Sequence, residues 1–445
     1  MKRIILLATL WTGLASHAQT LTIAPAGPVL TGDPVAITLS GLPPRADVQI
    51  VAERLMKNDA QPVLYRAEAA YRSDAEGKLD LGQSAPRSGS YRKADVRGLF
   101  WSMTPSRDAP AAGMVPGVVQ LSARIDGKEV AHARMQFVNT LPEVKVEAVD
   151  AFPGAVFAAL PGSARRPVII VLGGSEGGSS AVRELAPMLA AHGYAVLGLP
   201  YYSPAAWNSS ERELPMLPRS FVDIPVDRLE QARSWLAARS DVDAAHIGLL
   251  GHSKGAEFAL IAASKMPWIS AVAAIAATDV VWQGWGPDVN PPDSRRSSFS
   301  WRGQALPFVP NLEFLQEMAG FQTGADVRYR RPQDKGRAAH PAAAVAARIR
   351  VEDFKGAMLV AGGIEDQMWA SGMMAQNIAE RRAAAGRDTV TLVYTDAGHV
   401  LNGSGWSPTT QYDAGPFKTG GTPEANARAQ ADTWRQTLAF FKRSL

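Results

Sequence analysis

Hydrophobic and polar positions follow two different rhythms along the chain, and the change falls near residue 150. From Gln19 to about Thr140 the apolar positions alternate in short runs: Val35–Leu39, Val48–Ala52, Val63–Tyr71, Val118–Leu121 and Val130–Val138. Turn residues separate them, as at Gly41–Pro44, Glu76–Gly77 and Asp126–Gly127. Period-two runs between such turns predict an antiparallel, immunoglobulin-like all-β sandwich over 19–140. A link follows over 141–151. Beyond it strands alternate with helices: strands at Val168–Leu172, Tyr194–Leu199, Ile247–Leu250, Ala271–Ala276, Ala357–Ala361 and Thr389–Tyr394. Helices are expected over Ala181–Ala191, Pro225–Arg239 and Pro423–Lys442. This alternation predicts an α/β fold over 152–445, with a doubly wound, mostly parallel sheet covered on both faces. A Pro- and Arg-containing stretch, 282–340, interrupts the rhythm with Trp282, Trp285, Phe299, Trp301 and Phe308 and reads as a lid insertion.

The first residues follow neither rhythm. Lys2 and Arg3 precede the apolar run Ile4–Leu14, and Ser16-His17-Ala18 supplies small residues ahead of Gln19. That is the pattern of a secretory signal over 1–18, with cleavage expected after Ala18. Its eleven apolar-run residues fall short of the roughly 20 needed to span a bilayer. The expected location is periplasmic or secreted, with no integral membrane segment after cleavage.

Composition narrows the chemistry. The 445 residues are 46% hydrophobic and 20% charged, which excludes a disordered polyelectrolyte. Cysteine is absent, so disulfides, thiolate metal sites and a cysteine nucleophile are excluded together. The 46 basic against 42 acidic residues give +4, and loss of Lys2 and Arg3 lowers that to +2. No basic run supports nucleic-acid binding. Neither metal nor organic cofactor is implied, and oligomeric state is not legible.

The chemistry gathers where strands end. Ile247–Leu250 runs into Gly251-His-Ser253-Lys-Gly255 and then into an apolar helix, the strand, turn and helix of a nucleophile elbow with Ser253 at its apex. A serine hydroxyl needs a base, and the base an orienting carboxylate. With the chain order Ser, acid, His, only His340 and His399 lie far enough along. His399 follows a strand through Gly398, whereas His340 precedes Pro341 in an irregular stretch. Asp366, three residues after Gly363, is the expected acid, with Glu365 as its fallback; Asp396 sits too close to His399. The oxyanion donors expected are the Lys254 N–H and that of Ser175, with Gly174 its rival, in the loop Gly173–Gly178. A phosphate-binding reading of that loop lacks the G-K-[ST] ending and the G-x-G-x-x-G spacing. The Lys254 side chain reads as solvated charge, and Glu176, Tyr202, Trp207 and Trp282 are expected to border the substrate.

Carried this far, the chain resembles the acyl-CoA thioesterase and bile acid-CoA:amino acid N-acyltransferase family. The resemblance rests on Ser88–Tyr91, Gly98–Met103 and Pro105, then on Gly173–Gly178, Leu199–Tyr202, Ile224-Pro225, Gly251 with Ser253–Gly255, Glu365-Asp366 with Trp369, and Gly398-His399. It implies an α/β-hydrolase behind a β-sandwich, and thioester cleavage through Ser253, Asp366 and His399. The transferase branch typically uses Cys; this chain has Ser253, which favours hydrolysis. An exported chain meets little CoA, so a small-molecule acyl ester stands beside the acyl thioester as substrate. Other readings are a carboxylesterase or peptidase of the same fold, an acyltransferase to an amine or alcohol, and a non-enzymatic envelope binding protein.

Overall fold

The computed structural model describes residues 18–58, 61–162, 165–205, 210–289 and 295–445. The apolar run of the expected signal lies outside them, as does Trp207.

The chain forms two compact units. The first holds the chain up to Gly27 with Pro34–Leu99 and Pro105–Gln136. It contains two antiparallel sheets. One pairs Thr20–Ala24 with Ala36–Ser40 and that with Leu79–Asp80. In the other, the order is Lys128–Val138, Val118–Ile125, Asp47–Asn58, Gln61–Arg72 and Ser88–Gly89. The alternation read from sequence marks the inward positions: Ile37, Leu39, Val48, Ile50, Leu121 and Ala123 are buried.

The second unit holds Phe137–Leu445 with two short pieces, Pro28–Asp33 and Phe100–Thr104. Both pieces fall inside the stretch expected to be sandwich. Their pairing explains the reassignment. Val29–Leu30 lies parallel to Phe137 and Val138, and the Phe100 ring meets Trp406 edge-on at 4.9 Å. The stretch read as a link also carries structure. Lys145–Ala148 (β1) is the edge strand of the main sheet, paired antiparallel with Val156–Ala159 (β2). Its four exposed side chains give it no apolar run to read.

The remaining strands are Arg166–Leu172 (β3), Ala195–Gly198 (β4), Val242–His252 (β5), Ile269–Ile275 (β6), Ala357–Gly363 (β7) and Val390–Tyr394 (β8). The sheet order is β1-β2-β4-β3-β5-β6-β7-β8, parallel from β4 to β8. Among the described residues, the helices Ser180–Ala191 (α1), Leu229–Ala237 (α2), Lys254–Lys265 (α3), Ser371–Ala384 (α4) and Pro423–Ser444 (α5) flank it.

Side-chain alternation sends each strand into two cores. Val168, Ile170 and Leu172 join Leu249, Val272, Met358 and Val360 on the face covered by α2, α3 and α4. Ile169, Val171, Leu250, Ala273 and Leu359 face α1 and α5. Two-sided burial is why these strands read as continuous apolar runs, and each fully buried aliphatic side chain contributes roughly 1.5–3 kcal/mol.

At the centre β5 passes into α3 with no intervening loop. A β-carbon on Gly255 would stand 2.4 Å from the Gly173 carbonyl oxygen and 2.5 Å from that of Leu172; one on Gly251 would stand 2.1 Å from the Gly255 oxygen. Helix and strand are therefore closer than any side chain permits. Because the obstructing atoms are backbone, Gly255→Ala is expected to destabilise this unit by about 3 kcal/mol. Urea unfolding followed by tryptophan fluorescence checks this; an unchanged midpoint would show that the contact yields freely.

Candidate active site

Three loops at the carboxyl ends of the central strands bring three polar side chains together. The first comes from the β5–α3 turn. Ser253 has φ 56° and ψ −121°, a backbone conformation non-glycine residues rarely adopt. Its N–H donates to the Ile275 carbonyl at 2.9 Å, and its own carbonyl accepts from the N–H groups of Ala256 and Glu257. Neighbouring strand and helix thus hold the strained residue from both sides.

Asp366 lies just past β7 and is completely buried. Oδ1 accepts from the Met368 N–H at 2.7 Å and the Trp369 N–H at 3.2 Å, and Oδ2 accepts from the Ser371 hydroxyl at 2.5 Å. From the helix Arg330–Ala339, Arg330 donates to the Ile364 and Asp366 carbonyls at 3.1 and 3.0 Å. Glu365, the fallback acid, points outward and is exposed, as is Asp396.

His399 follows β8 in a loop whose Gly398 N–H donates to Asn426 Oδ1 at 2.8 Å. The His399 N–H donates to the Thr419 carbonyl at 2.9 Å. The ring bridges the other two groups, with Nδ1 2.8 Å from Asp366 Oδ2 and Nε2 2.8 Å from Ser253 Oγ. Trp369 closes on the ring edge-to-face at 5.3 Å. His340 sits elsewhere, its Nδ1 on the Gly336 carbonyl.

One further histidine belongs to the construction. His252, beside the serine, has Nε2 3.2 Å from the His399 carbonyl oxygen. Burial, reinforced by the neighbouring His399 ring, pushes its pKa down to about 3. The ring is therefore neutral, and its Nε2–H donates to that carbonyl. Sequence reading passed over it, because a histidine inside the G-x-S-x-G motif carries no signal of its own.

Ser175 and Lys254 line the same cavity as Ser253. Among the described residues their backbone N–H groups carry no hydrogen bond. Gly174 differs: its N–H already donates to Glu176 Oε1 at 2.7 Å, which removes it as a donor to anything bound. Tyr201 fixes the loop by donating to the Gly173 carbonyl at 2.7 Å. A phosphate role is also answered here. At the start of α1 the Ser179 N–H and hydroxyl both donate to the Glu213 carboxylate, so the protein's own anion occupies that helix terminus.

Of the expected pocket residues, Trp282 lines the cavity and is almost fully buried. Glu176 and Tyr202 do not line it. The Glu176 carboxylate is turned onto its own loop and borders a separate cavity with His252 and Gly174. Tyr202 packs on Phe221 at 4.8 Å, with its hydroxyl pushed up to about 12 by burial. The stretch 282–340 instead supplies Trp285, Asn311, Phe314, Tyr329 and Gln333. Their scattered positions left no periodic pattern to read.

The Lys254 side chain is not solvated. Nζ is buried, 2.5 Å from Glu257 Oε2 and 2.9 Å from Ser298 Oγ, with the Phe221, Phe299 and Trp285 rings within 5.5 Å. Burial lowers the Lys254 pKa and raises that of Glu257, and the mutual attraction opposes both shifts. Glu257 Oε1 also accepts from the Trp282 N–H at 2.9 Å, so the pair ties α3 to the start of the inserted stretch.

Comparison with known proteins agrees with this architecture. Residues 32–150 match the acyl-CoA thioester hydrolase/BAAT N-terminal region, and 224–445 match the BAAT/acyl-CoA thioester hydrolase C-terminal region. Residues 155–279 match the dienelactone hydrolase family. Similar curated proteins are acyl-coenzyme A thioesterase 6 of Mus musculus, 29% identical, and acyl-coenzyme A thioesterase 1 of Mus musculus, 30% identical. The peroxisomal succinyl-coenzyme A thioesterase of Mus musculus is 28% identical. Each match spans 96% of this chain and 97% of the relative. With both regional matches in order and 30% identity over nearly its full length, the chain belongs to the acyl-CoA thioester hydrolase/BAAT family, with its α/β-hydrolase preceded by a β-rich region.

Proposed function

We propose that this α/β-hydrolase is an exported serine hydrolase that cleaves acyl thioesters or esters through an acyl-enzyme at Ser253. The observation that carries the reading is the unbroken hydrogen-bonded line from Asp366 Oδ2 through His399 to Ser253 Oγ, each link 2.8 Å.

His399 Nε2 takes the Oγ proton as Oγ attacks the acyl carbonyl carbon. Asp366 accepts from Nδ1–H, which selects the tautomer and stabilises the imidazolium. The Ser175 and Lys254 N–H groups stabilise the developing oxyanion, helped by the position of Lys254 at the start of α3. Collapse breaks the carbon–sulfur or carbon–oxygen bond, and His399 passes its proton to the leaving group. Water then attacks the Ser253 ester, giving its proton to His399, which returns it to Oγ as the acid departs. The absence of cysteine favours discharge to water over the transferase outcome.

Export rests on the Lys2-Arg3 start, the apolar run and the Ser16-His17-Ala18 site. Among the described residues no helix is long and apolar enough to cross a membrane.

Ser253→Ala is expected to lower kcat by at least ~10⁴-fold with an unchanged unfolding midpoint. Asp366→Asn should lose about 10⁴-fold while keeping stoichiometric fluorophosphonate labelling at Ser253, though more slowly. A panel of CoA thioesters, p-nitrophenyl esters and amides, run with and without an amine acceptor, reads the substrate class; full turnover by Ser253→Ala would remove the assignment. Expressed from Met1 to Leu445 in a Gram-negative host, the protein should appear in the periplasmic fraction beginning at Gln19. A cytoplasmic product starting at Met1 would contradict export.

A further inference from the structure

The loop Gly173–Gly178 meets the cavity over Ser253 at Ser175. Its two ends are fixed by the surrounding fold. At the first, the Tyr201 hydroxyl donates to the Gly173 carbonyl at 2.7 Å, and burial keeps that hydroxyl protonated by raising its pKa. At the second, the Gly178 N–H donates to the Tyr202 carbonyl at 2.9 Å, and the Ser179 N–H to Glu213 Oε2 at 3.0 Å. Gly177 packs so closely there that a β-carbon on it would stand 2.5 Å from Pro204 Cδ and 2.8 Å from Tyr202 Cδ1.

The middle of the loop is held by one side chain. Glu176 Oε1 accepts from the Gly174 N–H at 2.7 Å, and a β-carbon on Gly174 would stand 2.5 Å from Oε2. Both carboxylate oxygens therefore lie against Gly174. The bond closes a ring through Gly174, Ser175 and Glu176, which constrains the backbone torsions on either side of the Ser175 N–H. Without it a glycine would be free to turn there, because among the described residues the N–H groups of Ser175, Glu176 and Gly177 make no hydrogen bond. The carboxylate and the Ser175 N–H serve different sides of the loop: Glu176 borders the cavity shared with His252 and Gly174, whereas Ser175 lines the one over Ser253. Glu176 is also exposed, so solvent screens its charge from an oxyanion forming in the other cavity.

We infer that Glu176 is the positioning residue of the oxyanion hole. It clamps Gly174 and so presents the Ser175 N–H to the oxygen that becomes negative as Ser253 attacks, acting through its reach rather than its charge. The inference rests on the hydrolase reading above and adds a residue to it.

Three substitutions separate reach from charge. Glu176→Gln keeps the acceptor and drops the charge, Glu176→Asp keeps the charge but is one methylene short of the Gly174 N–H, and Glu176→Ala removes both. With p-nitrophenyl butyrate, Glu176→Gln should hold kcat within about threefold of the parent. Glu176→Asp and Glu176→Ala should each lose about 10²-fold in kcat, the cost of one oxyanion donor, with KM within about threefold. The rate of fluorophosphonate labelling at Ser253 should fall in the same order, because the phosphoryl oxygen calls on the same donors. The lower apparent pKa of kcat/KM should not move in any variant, since the Asp366–His399 link is untouched, and the unfolding midpoint should be retained. Parent-like kcat and labelling in Glu176→Ala, a loss confined to KM, a loss that follows a lowered midpoint, or an active Glu176→Asp beside an inactive Glu176→Gln would each overturn the inference and leave the hydrolase reading intact. A parent protein that neither turns over the ester nor labels at Ser253 would overturn the hydrolase reading and this inference with it.

Discussion

The site depends on one steric constraint, the close approach of β5, the start of α3 and the loop after β3. Gly251 and Gly255 permit it, and Ser253 is held between them in a left-handed conformation that costs of order 1–3 kcal/mol. The hydrogen bond to the Ile275 carbonyl and the first turn of α3 maintain that strain. It lifts the hydroxyl off the sheet, leaves the Lys254 N–H at the helix start, and brings Ser175 alongside. A looser turn would separate these groups.

Parallel pairing then fixes the partners. With β5, β6, β7 and β8 in register, the loops carrying Ser253, Asp366 and His399 open at the same sheet end. Asp366 is oriented by Met368, Trp369 and Ser371, and His399 by Thr419, Asn426 and neutral His252. The Lys254–Glu257 pair extends the same rigidity into the inserted stretch. One helix turn therefore positions both the serine and the aromatic wall of the cavity over it.

Much of this was legible in the sequence where one physical rule dominates. Strands buried on both faces show as apolar runs, and the elbow shows because its glycines are sterically obligatory. Less was legible where tertiary contacts decide. Lys145–Ala148 is exposed and reads as a link; the 100–104 piece packs with the hydrolase unit because Phe100 meets Trp406. Gly174 and Ser175 were equivalent as sequence, and only the Glu176 carboxylate separates them. Lys254 looked like solvated charge because its partners, Glu257 and Ser298, are set by packing. The cavity residues of the inserted stretch follow no period, so Asn311 and Gln333 had no signal at all.

The central claim is covalent: the acyl group passes through Ser253. The most direct measurement mixes the protein with a thioester substrate, quenches in acid within the first turnover and maps the adduct by mass spectrometry. A gain equal to the acyl group less one hydrogen, located on Ser253 and lost again with time, is the predicted result. Turnover at full rate with no adduct on Ser253, or with the acyl group on another residue, would contradict the account.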